Sequence, residues 1–330
     1  MDHLRQKTFT TSRSLTYTYY QSTSIESAKP TLLFLHGWPD SAHLWASLSS
    51  SITDISFPVL IPDLLGYGGT SKPPDASVYN SKSMTSDLSE IIDAEGIDRV
   101  IVIGHDWGSF LAQRFYLFHP AHVAGIILLN VAYNPPIPNG PPFNLNAMLE
   151  RAEKNIGRAL FAYWQLFTAP DGPKILQGHL NSLWTALHAA DDGWMKGTFC
   201  TRGVLREFLL ADKQVPVKHY AQNQAAKEAF ISRMQRDGFE GPQCWYRAMT
   251  ENNHYEVEKS IPPESLKVNV PMLFIGCTND PVCPLELIRI PESQGLLPDL
   301  TVKEIESGHW ATMEKPTEVE ETFRQWLKRF

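Results

Sequence analysis

"RVIVIGHDWGS" (residues 99–109) runs from an apolar stretch into a charged turn, and its reading decides the fold. Val100 to Ile103 are apolar at every position, which suits a strand covered on both faces, as strands of a parallel sheet are. Asp106 then stands between Gly104 and Gly108. A strand that turns sharply into a helix strains its turn residue, and it closes only when small residues lie two positions before and after that residue. The pattern is G-x-Nu-x-G, with aspartate in the nucleophile position. A helix starting at the turn points its unpaired amides and positive dipole end at that side chain, which favours an anion there. A carboxylate is already ionised at neutral pH and needs no base to activate it.

Outward from this turn, similar runs recur: "LTYTYY" (15–20), "TLLFLH" (31–36), "PVLIPD" (58–63), "GIILLNV" (125–131), "PMLFIG" (271–276) and "LTVKEI" (300–305). Helical candidates lie between them. Residues 107–119 bring Leu111, Phe115 and Phe118 onto one face, and the last segment does the same with Val319, Phe323, Trp326 and Phe330. Thr317 with Glu320 has the spacing of a capping box for that last helix. Such alternation predicts a mostly parallel, doubly wound α/β sheet with crossover connections. It breaks at "AYNPPIPNGPPFN" (132–144), which holds five prolines, and from there to about Pro263 the chain is aromatic and helical without a convincing buried strand. The expected organisation is therefore a core of residues 1–132 and 266–330, with a helical lid inserted over 133–265.

Composition bounds the function. The 330 residues are 43% hydrophobic and 20% charged, as in an ordinary globular protein long enough to bury a large core. Net charge is −7 and no basic cluster could track a phosphate backbone, so nucleic acid is not an expected partner. Four cysteines, Cys200, Cys244, Cys277 and Cys283, form no CxxC pair and read as reduced thiols. The polar N-terminus lacks a secretory pattern and no window is long enough to span a bilayer, so the expectation is a cytoplasmic protein without membrane contact.

Ligands of open α/β sheets gather at the carboxyl ends of the strands. Four of those ends are unusual here. "TLLFL" is followed by His36, Gly37, Trp38, Pro39 and Asp40; "RVIVI" by the Asp106 turn; "PMLFI" by a loop holding Asp280; and "TVKEI" by "ESGHWATM" with His309. Nucleophile, acid and histidine thus succeed one another in chain order. The end of "GIILLNV" offers Asn130 but no carboxylate, which favours Asp280 as the acid. Each residue has an ordinary reading too: aspartate is a good helix N-cap, and Asn-Asp-Pro is a common turn. Those readings do not explain the glycines, the acid and the histidine arriving together.

With "HGWPDS" (36–41), "PDLLGYGGTSKP" (62–73), "GHDWGS" (104–109), "GFEGPQCWYRA" (238–248), "NDPV" (279–282) and "SGHW" (307–310) in this order, the chain resembles an α/β-hydrolase of the soluble epoxide hydrolase type over essentially its whole length. The resemblance implies that Asp106 attacks an epoxide carbon to form an alkyl ester, while two lid phenols, at Tyr163 and Tyr246, protonate the leaving oxygen. It also implies that His309, oriented by Asp280, activates the water that hydrolyses the ester, with the Trp38 and Trp107 amides as the oxyanion hole. His36, Pro39, Phe161, Trp164, Phe167, Trp245 and Trp310 are expected around an apolar pocket. His36 and His105 are further expected to support the turn rather than act as bases. No metal or organic cofactor is implied; the expected partners are a small epoxide and water, in a monomer or homodimer.

Three alternatives share the fold. A haloalkane dehalogenase resembles this family in its aspartate turn, but an asparagine at position 38 would have suited it better than Trp38. A non-catalytic binding protein would have no use for nucleophile, acid and base in register, and fold alone never settles that choice. A pathway-specific enzyme could open an epoxide without admitting water.

Overall fold

In a computed structural model, which describes residues 1–23, 28–52 and 55–330, the strand before Asp106 lies inside the sheet. The eight strands are β1 (Leu4–Thr10), β2 (Thr16–Ser22), β3 (Thr31–Leu35), β4 (Val59–Pro62), β5 (Val100–His105), β6 (Val123–Leu129), β7 (Met272–Cys277) and β8 (Leu300–Ile305). They form one sheet in the order β1-β2-β4-β3-β5-β6-β7-β8. All neighbours from β4 through β3 to β8 pair in parallel, and only β2 runs antiparallel to both of its neighbours. Every residue of β3, β5, β6 and β7 is buried, which is why these strands read as unbroken apolar runs.

The seven expected strands are present, joined by an eighth that the apolar runs do not announce. β1, "LRQKTFT", is an edge strand with an exposed face, paired with β2 from Leu4↔Ser22 to Thr10↔Thr16. Its polar side chains and Lys7 are typical of an edge that must not recruit another chain, and they hide the strand from a search for apolar runs. The capping box at Thr317 is corrected: the last helix, Pro316–Leu327, has Lys315 before it and no side-chain cap. Pro316 takes the first helical position, where its missing N–H costs nothing and its fixed φ suits the helix.

Between β6 and β7 the described residues form helices and turns, with one isolated bridge, Ala189↔Val217. Three helices of this insertion position the site: Trp164–Phe167, Gln224–Asp237 and Glu240–Thr250. The insertion is fastened to the core by polar contacts. Arg114, on the helix Trp107–Phe118, makes a two-pronged pair with Glu258 at 3.0 Å on each prong, and Ser81 Oγ donates to the same carboxylate at 2.6 Å. Trp245 donates its indole N–H to Leu65 O at 2.8 Å. Among the described residues no helix is long and apolar enough to cross a membrane.

Candidate active site

Asp106 links β5 to the helix Trp107–Phe118 with φ 54° and ψ −123°, a conformation that costs a non-glycine residue on the order of 1–3 kcal/mol. The close packing that holds it there depends on the flanking glycines. A Cβ on Gly104 would lie 2.3 Å from Gly108 O, and one on Gly108 would lie 2.1 Å from Leu35 O. Ser109 braces the turn from below, donating Oγ–H between Gly104 O (2.7 Å) and Leu129 O (2.9 Å). The Asp106 side chain makes no N-cap bond to its helix; its Oδ1 accepts the Trp38 N–H at 2.9 Å instead. Burial pushes this carboxyl above its usual range, opposed by the His309 charge and by hydrogen bonds from the Trp107 and Trp38 amides.

His309 Nε2 lies 3.7 Å from Asp106 Oδ2, and its Nδ1 lies 2.7 Å from Asp280 Oδ2. Burial disfavours the imidazolium, yet Asp280, by charge and hydrogen bond, and then Asp106 and Asp40 overcome it and raise the imidazole to about 9. Burial likewise opposes the Asp280 carboxylate, but His309, Asn130 Nδ2 and the Val282 amide outweigh it and hold the group below its usual range. Asn130 Nδ2 donates at 2.6 Å to the same Asp280 oxygen that accepts from His309. The neighbouring histidines act as props. His36 Nε2 accepts the Leu64 N–H at 3.0 Å, so its proton sits on Nδ1, which donates to Gly37 O at 2.9 Å. His105 Nε2 lies 2.8 Å from His309 O, and burial, then the His309 charge, lowers its imidazole to about 3, so it stays neutral and serves as donor.

Above the carboxylate the insertion supplies rings. Tyr163 and Tyr246 meet edge-on with centroids 6.1 Å apart, and Tyr246 also stands edge-on to Trp107 at 5.1 Å, Trp164 at 5.2 Å and Phe167 at 4.9 Å. Burial raises both phenols well above their ordinary value; the next influence is Asp106 for Tyr163, and Tyr163 followed by Asp106 for Tyr246. Both therefore carry their protons at neutral pH. Trp38, after which the peptide bond to Pro39 is cis, packs against Phe167 at 4.4 Å. Phe161 lies against Trp164 at 5.3 Å and Trp310 against His309 at 4.8 Å. Trp245 is fully buried against Trp107, its N–H committed to Leu65, and His36 has both ring nitrogens engaged by backbone.

Asp280, Cys283 and His309 bring ligand atoms within 4.8 Å of one another, a spacing a metal ion could use. Asp280 and His309 already spend theirs on each other, and burial, with Asp280 and Asp106, pushes the Cys283 thiol well above its usual range. The donor set thus favours a hydrogen-bonded triad over a metal centre. Two groups of the site escape sequence reasoning. Asn130 draws notice there only for lacking a carboxylate, and its amide role carries no signal. Asp40, in "HGWPDS", accepts Trp310 Nε1–H at 3.0 Å and is raised by burial to about 6.

Residues 30–316 match a family model described as the alpha/beta hydrolase fold. Epoxide hydrolase srdG of Neurospora crassa is 28% identical over 330 aligned residues, which cover 97% of this chain and 94% of that protein. Bifunctional epoxide hydrolase 2 of Sus scrofa is 26% identical over 91% of this chain, which spans only 51% of that relative. The crystal structure of epoxide hydrolase A from Mycobacterium thermoresistibile superposes with a TM-score of 0.79 at 22% identity, over 98% of both chains. At that identity the last likeness is one of fold.

Proposed function

The chain belongs to the α/β-hydrolase fold family, and from that premise we propose that it is an epoxide hydrolase, converting a small or medium apolar epoxide and water to a vicinal diol. The observation that carries this reading is a strained, buried carboxylate with an imidazole 3.7 Å from one oxygen and a backbone amide 2.9 Å from the other, beneath two protonated phenols. The relatives from Neurospora crassa and Sus scrofa support it, since they are epoxide hydrolases by name.

Asp106 Oδ2 is the nucleophile. It attacks one ring carbon from behind; the C–O bond breaks, and the departing oxygen takes a proton from Tyr163 or Tyr246. Phenols suit this step because they are still protonated where a carboxylic acid would have ionised. Ester formation removes the Asp106 charge, one of the influences that hold His309 at about 9, so the imidazole becomes readier to lose its proton and then to accept one from water. Water adds to the Asp106 carbonyl carbon while the Trp38 and Trp107 amides hold the oxygen that gains charge. Collapse of that adduct breaks the acyl–oxygen bond, and the departing oxygen takes the proton held by His309 and leaves in the diol. The new Asp106 carboxyl returns its own proton to His309, and the phenolate regains the proton that His309 lost on ester formation. The reading includes a soluble, cytoplasmic monomer or homodimer whose partners are the epoxide and water.

A single turnover in heavy-oxygen water tests it. Label should enter the Asp106 carboxylate, because the attacking water oxygen stays on the enzyme while the original Asp106 oxygen leaves in the diol. Label found only in the diol would discard the ester mechanism.

A further inference from the structure

Three core loops around the site are held by cations of the insertion, directly or through one carboxylate. Arg158 Nη2 donates to Pro281 O at 3.3 Å, in the loop of Asp280. Lys218 Nζ donates to Glu314 Oε1 at 2.8 Å, and the other oxygen of that carboxylate accepts the Gly308 N–H, next to His309, at 3.1 Å. Arg233, on the helix Gln224–Asp237, donates Nη1 to Pro39 O at 2.8 Å and to Asp40 O at 3.2 Å. These two carbonyls come directly after Trp38, whose N–H holds Asp106 Oδ1.

The Arg233 contact bears most directly on the chemistry. The segment between β3 and the short helical turn Ala42–Trp45 has no strand or helix ladder to satisfy its carbonyls. One guanidinium nitrogen, Nη1, serves two successive carbonyls here, its N–H directions set by the planar group. Trp310, next to His309, holds the Asp40 side chain from the other side. Arg233 is the donor that fixes Pro39 O, the carbonyl one residue past the Trp38 amide, so its loss frees that peptide to shift. A misplacement of about 1 Å in a positioning group can cost about 10²-fold in rate.

We propose that Arg233 is a positioning residue for ester hydrolysis: by holding Pro39 O and Asp40 O it keeps the Trp38 amide on the oxygen of Asp106 that gains charge when water adds. This rests on the epoxide hydrolase reading. The dependence should be unequal between the two half-reactions. In ring opening the amide is bonded to a carboxylate oxygen whose charge declines; in hydrolysis it must meet an oxygen whose charge grows, so misplacement costs more there. In that second step the water O–H bond breaks, its proton goes to His309 Nε2, and the carbonyl electron pair moves onto the held oxygen.

The test uses Arg233→Met and Arg233→Lys with styrene oxide, tracking ring opening and ester decay separately by rapid quench and intact-protein mass. For Arg233→Met the expected result is ester decay slowed by about 10- to 10²-fold, ring opening slowed by less than about 3-fold, and alkylated enzyme accumulating at steady state, so that kcat and KM fall together. Arg233→Lys, which keeps a charged N–H donor group on a more flexible stem, should recover part of the decay rate. Equal losses in both steps, or no loss in either, in protein that melts as the parent does would overturn the proposal. Failure of the underlying activity is distinguishable, because it appears in the unmutated chain as neither diol nor alkylated enzyme.

Discussion

The carboxylate side of the site and the phenol side are built by different physics. In the core, Asp106, His309 and Asp280 sit at the ends of β5, β8 and β7, and directed bonds of 2.6 to 2.9 Å fix the two carboxylates and one imidazole nitrogen. In the insertion, Tyr163 and Tyr246 are held by edge-to-face packing among Trp107, Trp164 and Phe167, with centroids 4.9 to 6.4 Å apart. Hydrogen bonds constrain direction tightly, whereas ring packing tolerates small rotations at little cost. On the proposed mechanism, the difference anchors the nucleophile and its base to the sheet, while the proton donors for ring opening belong to a surface able to adjust.

The sharpest way to test this division is Asp106→Asn. Turnover should fall by ~10⁴-fold or more with the melting temperature preserved, because the fold needs the turn but not its charge. Residual turnover close to the parent's would place the nucleophile elsewhere. Next comes His309→Gln, which should leave ring opening intact and slow ester hydrolysis by about 10²- to 10⁴-fold, so the alkylated protein becomes visible by mass. The double change Tyr163→Phe with Tyr246→Phe should do the converse, slowing ring opening by about 10²-fold while an ester once formed decays normally. If the phenol changes slowed decay instead, the two regions would not divide the reaction between ring opening and hydrolysis.

Smaller effects probe the charges. Loss of the Asp106 charge on ester formation removes an influence that raises His309, so the imidazole in the ester should titrate below the value of about 9 in the free protein. Ester decay should therefore rise with pH about a midpoint below 9, as single-turnover measurements across pH would show; a midpoint at or above 9 would contradict it. Asn130→Ala should be mildest, slowing hydrolysis by about 10-fold, since Asp280 keeps the His309 bond and the Val282 amide when the asparagine is gone.

The same contrast explains what can be read from the sequence. The core residues are legible because each lies within a few positions of a strand end, so that apolar runs locate it without any knowledge of packing. Asn130 occupies such an end as well, but it looks empty to a search for carboxylates. The tyrosines carry no periodic signal, and the resemblance alone singles out Tyr163 and Tyr246 among eleven. Arg233 reads as a charged residue on the solvated face of a helix, since nothing local reveals that its partners lie 194 and 193 residues earlier. β1 escapes for the opposite reason, its polar edge resembling a leader with no structure at all.

β6 and β7, the strands that flank the insertion, are direct neighbours in register from Ile126↔Met272 to Leu129↔Ile275. The two strands are parallel, so the chain leaves at the carboxyl end of β6 and must cross over the sheet to re-enter at the amino end of β7; an excursion is required there in any case, and the insertion lengthens it. Such a segment can be exchanged as a cassette, for one of different length or shape, without disturbing a single rung of the ladder beneath. The ladder is thereby indifferent to the length of the excursion, whereas Tyr163, Tyr246 and Arg233 tie the proposed chemistry to this particular one.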